Sequence, residues 1–133
     1  MIRSKICSCT FMEELDIPIF RKSYELYKSF HGLRSIVPKA DRHTLWQRCE
    51  NLLLDVISGL IMAGQLPKNE KLPHLTEVSA KLNLLRMLLR LTQETKVLDL
   101  KKSTHLQQMV DEIGRMLGGW IKSVKDNTPP PRE

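Results

Sequence analysis

Apolar residues recur along this chain with the three-to-four-residue spacing of helices, and clean strand-like alternation is nearly absent. Four segments carry that period. The first is predicted over Ile17–Leu33, with Asp16 as a cap and Pro18 in the first turn, where proline is tolerated. Phe20, Tyr24, Tyr27 and His31 share one face, and Ile19, Leu26, Phe30 and Leu33 a second. The next segment is predicted over Asp41–Ala63, on Leu45, Cys49, Leu52, Leu53, Val56, Ile57, Leu60 and Ile61, with Gly64 ending it and Pro67 just beyond.

A third helix is predicted over Leu72–Thr95. Val78, Leu82, Leu85, Leu89 and Thr92 form one stripe, and Leu84, Leu88 and Leu91 a neighbouring one. A basic loop, Lys96–Lys102, leads to a fourth helix capped by Ser103 and ending near Val124. Its apolar face is Leu106, Met109, Val110, Ile113, Leu117, Trp120, Ile121 and Val124. The fold class predicted is all-α: an antiparallel up-down-up-down four-helix bundle over residues 17–125. Residues 1–16 form a leader expected to be disordered, and residues 126–133 a Pro-rich tail that cannot continue a helix. Met12, followed by Glu13-Glu14-Leu15, is a second candidate start.

The apolar arc on the third helix is roughly 200° wide, against roughly 100° for a helix with one buried face. Two readings fit: a helix buried centrally in its own bundle, or a second face buried by oligomerisation.

The length of 133 residues suits one domain with a real core. The net charge of +6 suits solubility as well as a polyanionic partner. Three cysteines, Cys7, Cys9 and Cys49, are an odd number with no second ligand pair. They argue against a disulfide framework and a zinc site, and for the cytoplasm; Cys49 reads as a small core residue. No signal-peptide pattern opens the chain. Leu52–Gly64, broken by Asp55 and Ser58, is too short and polar to span a bilayer, so no membrane association is expected.

Metal and catalytic motifs are missing. The residues three before His31, His43, His74 and His105 are Lys28, Ala40, Lys71 and Lys102, so the bundle-type Glu-x-x-His motif is absent. Asp55 falls opposite the main stripe of its helix and reads as solvated. No phosphate-binding glycine loop occurs, and Gly114-x-x-x-Gly118 reads as a close-packing device. No cofactor, metal or catalytic residue is expected, and the chain reads as a non-enzyme.

Basic stripes remain. Ser79, Asn83, Arg86 and Arg90 fall along one polar edge of the third helix, and two arginines one turn apart can hold neighbouring phosphates or a partner's carboxylates. Arg115 and Lys122 share an outward line on the fourth helix, with Asp111 also on it. Arg21 and Lys28 project together from the first helix. Each stripe also fits an ordinary solvated face. Aromatics are only 5% of the chain, so nucleic-acid binding would run through the backbone phosphates and be salt-dependent.

Three runs carry a resemblance: Leu85-Arg86-Met87-Leu88-Leu89-Arg90, Ile113-Gly114-Arg115-Met116-Leu117-Gly118-Gly119-Trp120-Ile121, and Ile61-Met62-Ala63-Gly64. Over residues 17–125 the chain resembles the accessory variability determinant (Avd) proteins of diversity-generating retroelements. These belong to a wider four-helix group that includes proteins encoded in ribosomal RNA intervening sequences. The resemblance implies a positively charged homopentameric barrel. It implies a reverse transcriptase and a template-repeat RNA as partners, with cDNA as a further nucleic acid. The role implied is non-catalytic support of mutagenic cDNA synthesis. Arg86 and Arg90 match the family's helix-three arginines and carry over as partner or RNA contacts. Residues before Ile17 have no counterpart in the resemblance. The alternative is an intervening-sequence type of bundle with an interaction role only.

Overall fold

The computed structural model describes residues 17–126. Among these the chain is all helix: α1 (Pro18–Gly32), α2 (Leu45–Gln65), α3 (Lys68–Glu94) and α4 (Leu100–Asp126), with no strand. A 3₁₀ turn, Arg34–Ile36, and a single helical turn, Lys39–Arg42, join α1 to α2. Each long helix packs on its neighbours in sequence, and α1 closes the ring against α4. The leader, with Asp16, Cys7 and Cys9, and the tail from Asn127 lie outside the described residues.

The predicted stripes form the core. Leu53, Val56 and Leu60 of α2, Leu82, Leu85 and Leu89 of α3, and Leu106, Val110 and Ile113 of α4 are buried. Cys49 is fully buried among them, and burial pushes its thiol up to about 12, which leaves it un-ionised and unreactive. Asp55 is solvent-exposed, as its place opposite the stripe required. Trp46 was not among the predicted core residues, yet it is 1% exposed and stacks flat on Phe30, with ring centroids 3.8 Å apart. Gly59 lets α2 and α3 approach closely, since a side-chain carbon there would collide with Val78 Cγ2.

Three helix starts differ from expectation, each for a local reason. The second predicted segment is split. Arg42 Nε donates to Val37 O at 2.9 Å and Arg42 Nη2 to Ser35 O at 3.0 Å. These bonds hold Lys39–Arg42 as a separate turn beside the buried Val37. Thr44 then leaves helical geometry (φ −117°, ψ −100°), and α2 begins at Leu45.

The third helix starts at Lys68, four residues before the expected Leu72, and carries Pro73 inside it. Only Leu66 and Pro67 separate it from α2. Lys71 Nζ reaches back to Ala63 O at 2.8 Å and Gly64 O at 3.3 Å, satisfying carbonyls at the end of α2 that have no partner within the helix.

Ser103 is not the cap of α4. Asp99 takes that place, its Oδ1 accepting from the Lys102 amide at 2.8 Å. The Lys102 ammonium and amide together hold the Asp99 carboxyl below the usual carboxylate range. Ser103 lies buried inside α4, where its hydroxyl donates to Leu89 O at 3.4 Å and accepts from Gln107 Nε2 at 2.9 Å. The basic loop is therefore shorter than expected, and Lys101 and Lys102 belong to the first turn of α4.

The turn that remains is tight. Lys96 adopts φ 63°, and the Lys96 and Val97 amides donate back to Gln93 O at 3.1 Å and Thr92 O at 2.8 Å. That is the left-handed helix ending usually built with glycine. Burial of Val97 and Leu98 anchors it.

Of the two readings of α3, central burial is excluded. Val78, Leu82, Leu85, Leu89 and Thr92 are buried. The neighbouring stripe is covered only in part: Leu84 is 42% exposed and Leu91 41%, while Leu88 is half-buried against the core, and Met87 beside them is 63% exposed. On the adjoining helix Leu54 and Met62 are exposed as well. The chain thus leaves an apolar face uncovered.

Candidate nucleic-acid interface

The arginine pair of α3 does not stand side by side in solvent. Arg86 turns toward α4, where Nε lies 2.9 Å from Asp111 Oδ1, and Nη1 donates to Asn83 Oδ1 at 3.0 Å. The Nε–Asp111 contact is an ion pair by distance, but the Nε–H is buried and has no hydrogen-bond partner among the described residues. Gly114 makes this placement possible. A side-chain carbon at that position would come 2.8 Å from Arg86 Nη2, so the guanidinium would have to move to make room for one. The close helix packing expected of Gly114-x-x-x-Gly118 is not seen at both glycines: Gly114 faces side chains of α3. Gly118 has no such neighbour.

Arg90 points away from that contact and is exposed, with Nε 3.5 Å from Glu94 Oε1 one turn along α3. An exposed pair of this kind contributes little, about 0–1 kcal/mol, and leaves the guanidinium available to a stronger anion.

Arg115 is exposed on α4, and no ion pair is formed by it among the described residues. It lines a shallow depression of about 460 Å³ together with Ser79, Asn83, Arg86 and Asp111, floored by Gly114. The structure therefore unites Arg86 and Arg115, which the sequence placed on separate stripes. Asp111 shares the α4 line with Arg115, but its charge is directed across to Arg86. The depression can offer guanidinium groups from two helices, with the Ser79 hydroxyl beside them, to one phosphate or carboxylate.

Lys122 is exposed two turns beyond Arg115 and shares a separate shallow depression with Gly119, Ser123 and Asp126. Arg21 and Lys28 lie on α1, which packs on α2 and α4. Lys28 rests over the Tyr24 ring, its ammonium 4.8 Å from the centroid, and Arg21 is exposed. The six predicted residues thus do not form one surface. Arg86 and Arg115 come together, Arg90 flanks them on α3, and Lys122, Arg21 and Lys28 stand apart.

Sequence reasoning missed the roles of Asp111 and Gly114, which lie 25 and 28 positions from Arg86. The signal available was their spacing: Asp111 and Gly114 are three apart and share one face of α4, as Asn83 and Arg86 do on α3.

Among the described residues no three His, Cys, Asp or Glu side chains come together as a possible metal site. No helix among them is long and apolar enough to cross a membrane. In comparisons with known proteins, the family described as bAvd-like matches residues 18–124. No individual curated protein matches the chain.

Proposed function

We propose, from the premise that this chain belongs to the bAvd-like family, that it is a non-catalytic accessory protein of a diversity-generating retroelement. In this reading it works in the cytoplasm, binds the retroelement reverse transcriptase and the template-repeat RNA, and supports mutagenic cDNA synthesis. The polymerase chemistry belongs to the transcriptase; this chain contributes position and charge. The helices run up-down-up-down and assemble as a homopentameric barrel.

The family match over residues 18–124 carries the reading. Three features support it. The α3–α4 contacts Leu82–Gly114, Arg86–Asp111 and Gln93–Gln107 run in opposite sequence directions along the two helices, as an antiparallel pair requires. The uncovered apolar row Leu84, Met87 and Leu91 gives subunits something to bury against one another. The net charge of +6 gives long-range attraction to RNA.

Arg86, Arg90 and Arg115 are the residues we assign to RNA or transcriptase contact, with Lys122, Arg21 and Lys28 as outlying cations. Replacing all three arginines by alanine is expected to weaken binding to RNA or to the transcriptase by roughly tenfold or more. Helicity should persist, because half-exposed ion pairs contribute at most about 1 kcal/mol each. Affinity measured by fluorescence anisotropy for RNA, and by pull-down for the transcriptase, checks this beside circular dichroism. Unchanged binding to both partners would remove the assignment.

A further inference from the structure

A second basic feature lies where the end of α1 meets the start of α4. Lys28, Gly32 and Leu33 on one side, and Lys101, Lys102 and His105 on the other, line a groove of about 580 Å³. Among the described residues no carboxylate lines it. Asp99 takes the Lys102 ammonium at 2.8 Å while its other oxygen caps α4. Lys101 also lies within the field of that carboxylate, and it and Lys28 carry the remaining positive potential of the groove.

The position of these lysines is informative. The first turn of a helix carries the positive end of the macrodipole, where cations are disfavoured and anions stabilised. The 27-residue α4 has Lys101 and Lys102 there and no acidic residue in its first turn. Asp99 caps that end and pairs with Lys102, so an arriving anion would meet chiefly the lysine side chains of the groove. The groove also has an apolar floor. Leu33 is half-buried, and the missing side chain of Gly32 leaves open space, with nothing within 4 Å of where a side-chain carbon would stand.

A cationic rim over an apolar floor suits a ligand with alternating charged and flat apolar parts. Single-stranded nucleic acid has that form, with phosphates for the lysines and a base for the floor. The geometry points to a phosphodiester subsite for single-stranded RNA in the α1–α4 groove, contacted by Lys28 and Lys101 and separate from the Arg86–Arg115 depression. This rests on the reading of the protein as an RNA binder, and adds a second point of contact that the arginines of α3 do not supply.

The test uses the full chain and a labelled single-stranded oligouridine, with affinity measured by anisotropy across a salt series. Lys28→Ala with Lys101→Ala is expected to weaken binding by roughly tenfold and to flatten the salt dependence by the equivalent of about two phosphate contacts. Gly32→Leu, which fills the floor without touching a charge, is expected to weaken single-strand binding with the salt slope unchanged. Circular dichroism confirms that each variant is folded. If the unaltered protein bound no RNA, the functional reading itself would fail. If it bound RNA and the two lysine changes altered neither affinity nor slope, the groove assignment alone would fall. If an oligoglutamate peptide bound more tightly than the RNA and lost its affinity in the same variants, the groove would belong to a protein partner and the RNA assignment would be overturned.

Discussion

Replacing Trp46 by alanine is expected to cost about 3–5 kcal/mol, the range for deleting a large aromatic from a packed core. Domains of this kind hold only about 5–15 kcal/mol in total, so the variant would sit close to unfolding. The geometry explains the size of the effect. Trp46 lies in the first turn of α2, is 1% exposed, and stacks within 4° of parallel on Phe30 of α1. This plate joins α1 to α2 in the core. The Trp46 Nε1 is buried without a partner among the described residues, so the indole contributes through area and stacking rather than through a hydrogen bond. Trp46→Phe keeps a stacking ring and removes that orphan donor, and should cost far less. Urea midpoints of the two variants and the parent give the comparison. A midpoint for Trp46→Ala within error of the parent would show that the stack is not a principal support.

The other large effect concerns assembly. Met87→Glu with Leu91→Glu is expected to convert the proposed oligomer to monomer while leaving helix content unchanged. Both side chains are exposed in the single chain, at 63% and 41%, so charge there is harmless to the bundle itself. In an assembly that covers this face the same change removes two apolar contacts, each contributing roughly 1.5–3 kcal/mol when fully buried. It also leaves carboxylates desolvated and unpaired, at further cost. Light scattering reads the mass against a 15.4 kDa chain. An assembled mass that the double change left intact would exclude this face as the interface, and a monomeric parent would remove the barrel from the account.

The fold was largely legible in the sequence because each helix carries its own apolar period. The buried rows on α2, α3 and α4 are the rows the spacing picked out. The excess on α3 was legible too: of its second stripe Leu84 and Leu91 are exposed and Leu88 is half-buried, with Met87 exposed beside them. Helix starts were harder, because short-range capping competes with core placement. Ser103 had the right side chain for a cap, but it stands on the inward face of α4, so Asp99 caps and Ser103 bonds to Leu89. Leu75, buried just after Pro73, lies inside the predicted third helix but ahead of both of its predicted stripes. The candidate site was legible only as a list of cations. Which of them meet depends on Gly114 and Asp111, and that is a property of how α3 and α4 cross rather than of either helix alone.

The most direct test of an accessory role is copurification of the tagged protein expressed with the reverse transcriptase and template-repeat RNA encoded beside it. The account predicts that transcriptase and RNA are both retained in a complex with several copies of this chain. Recovery of the chain with neither of them would contradict it.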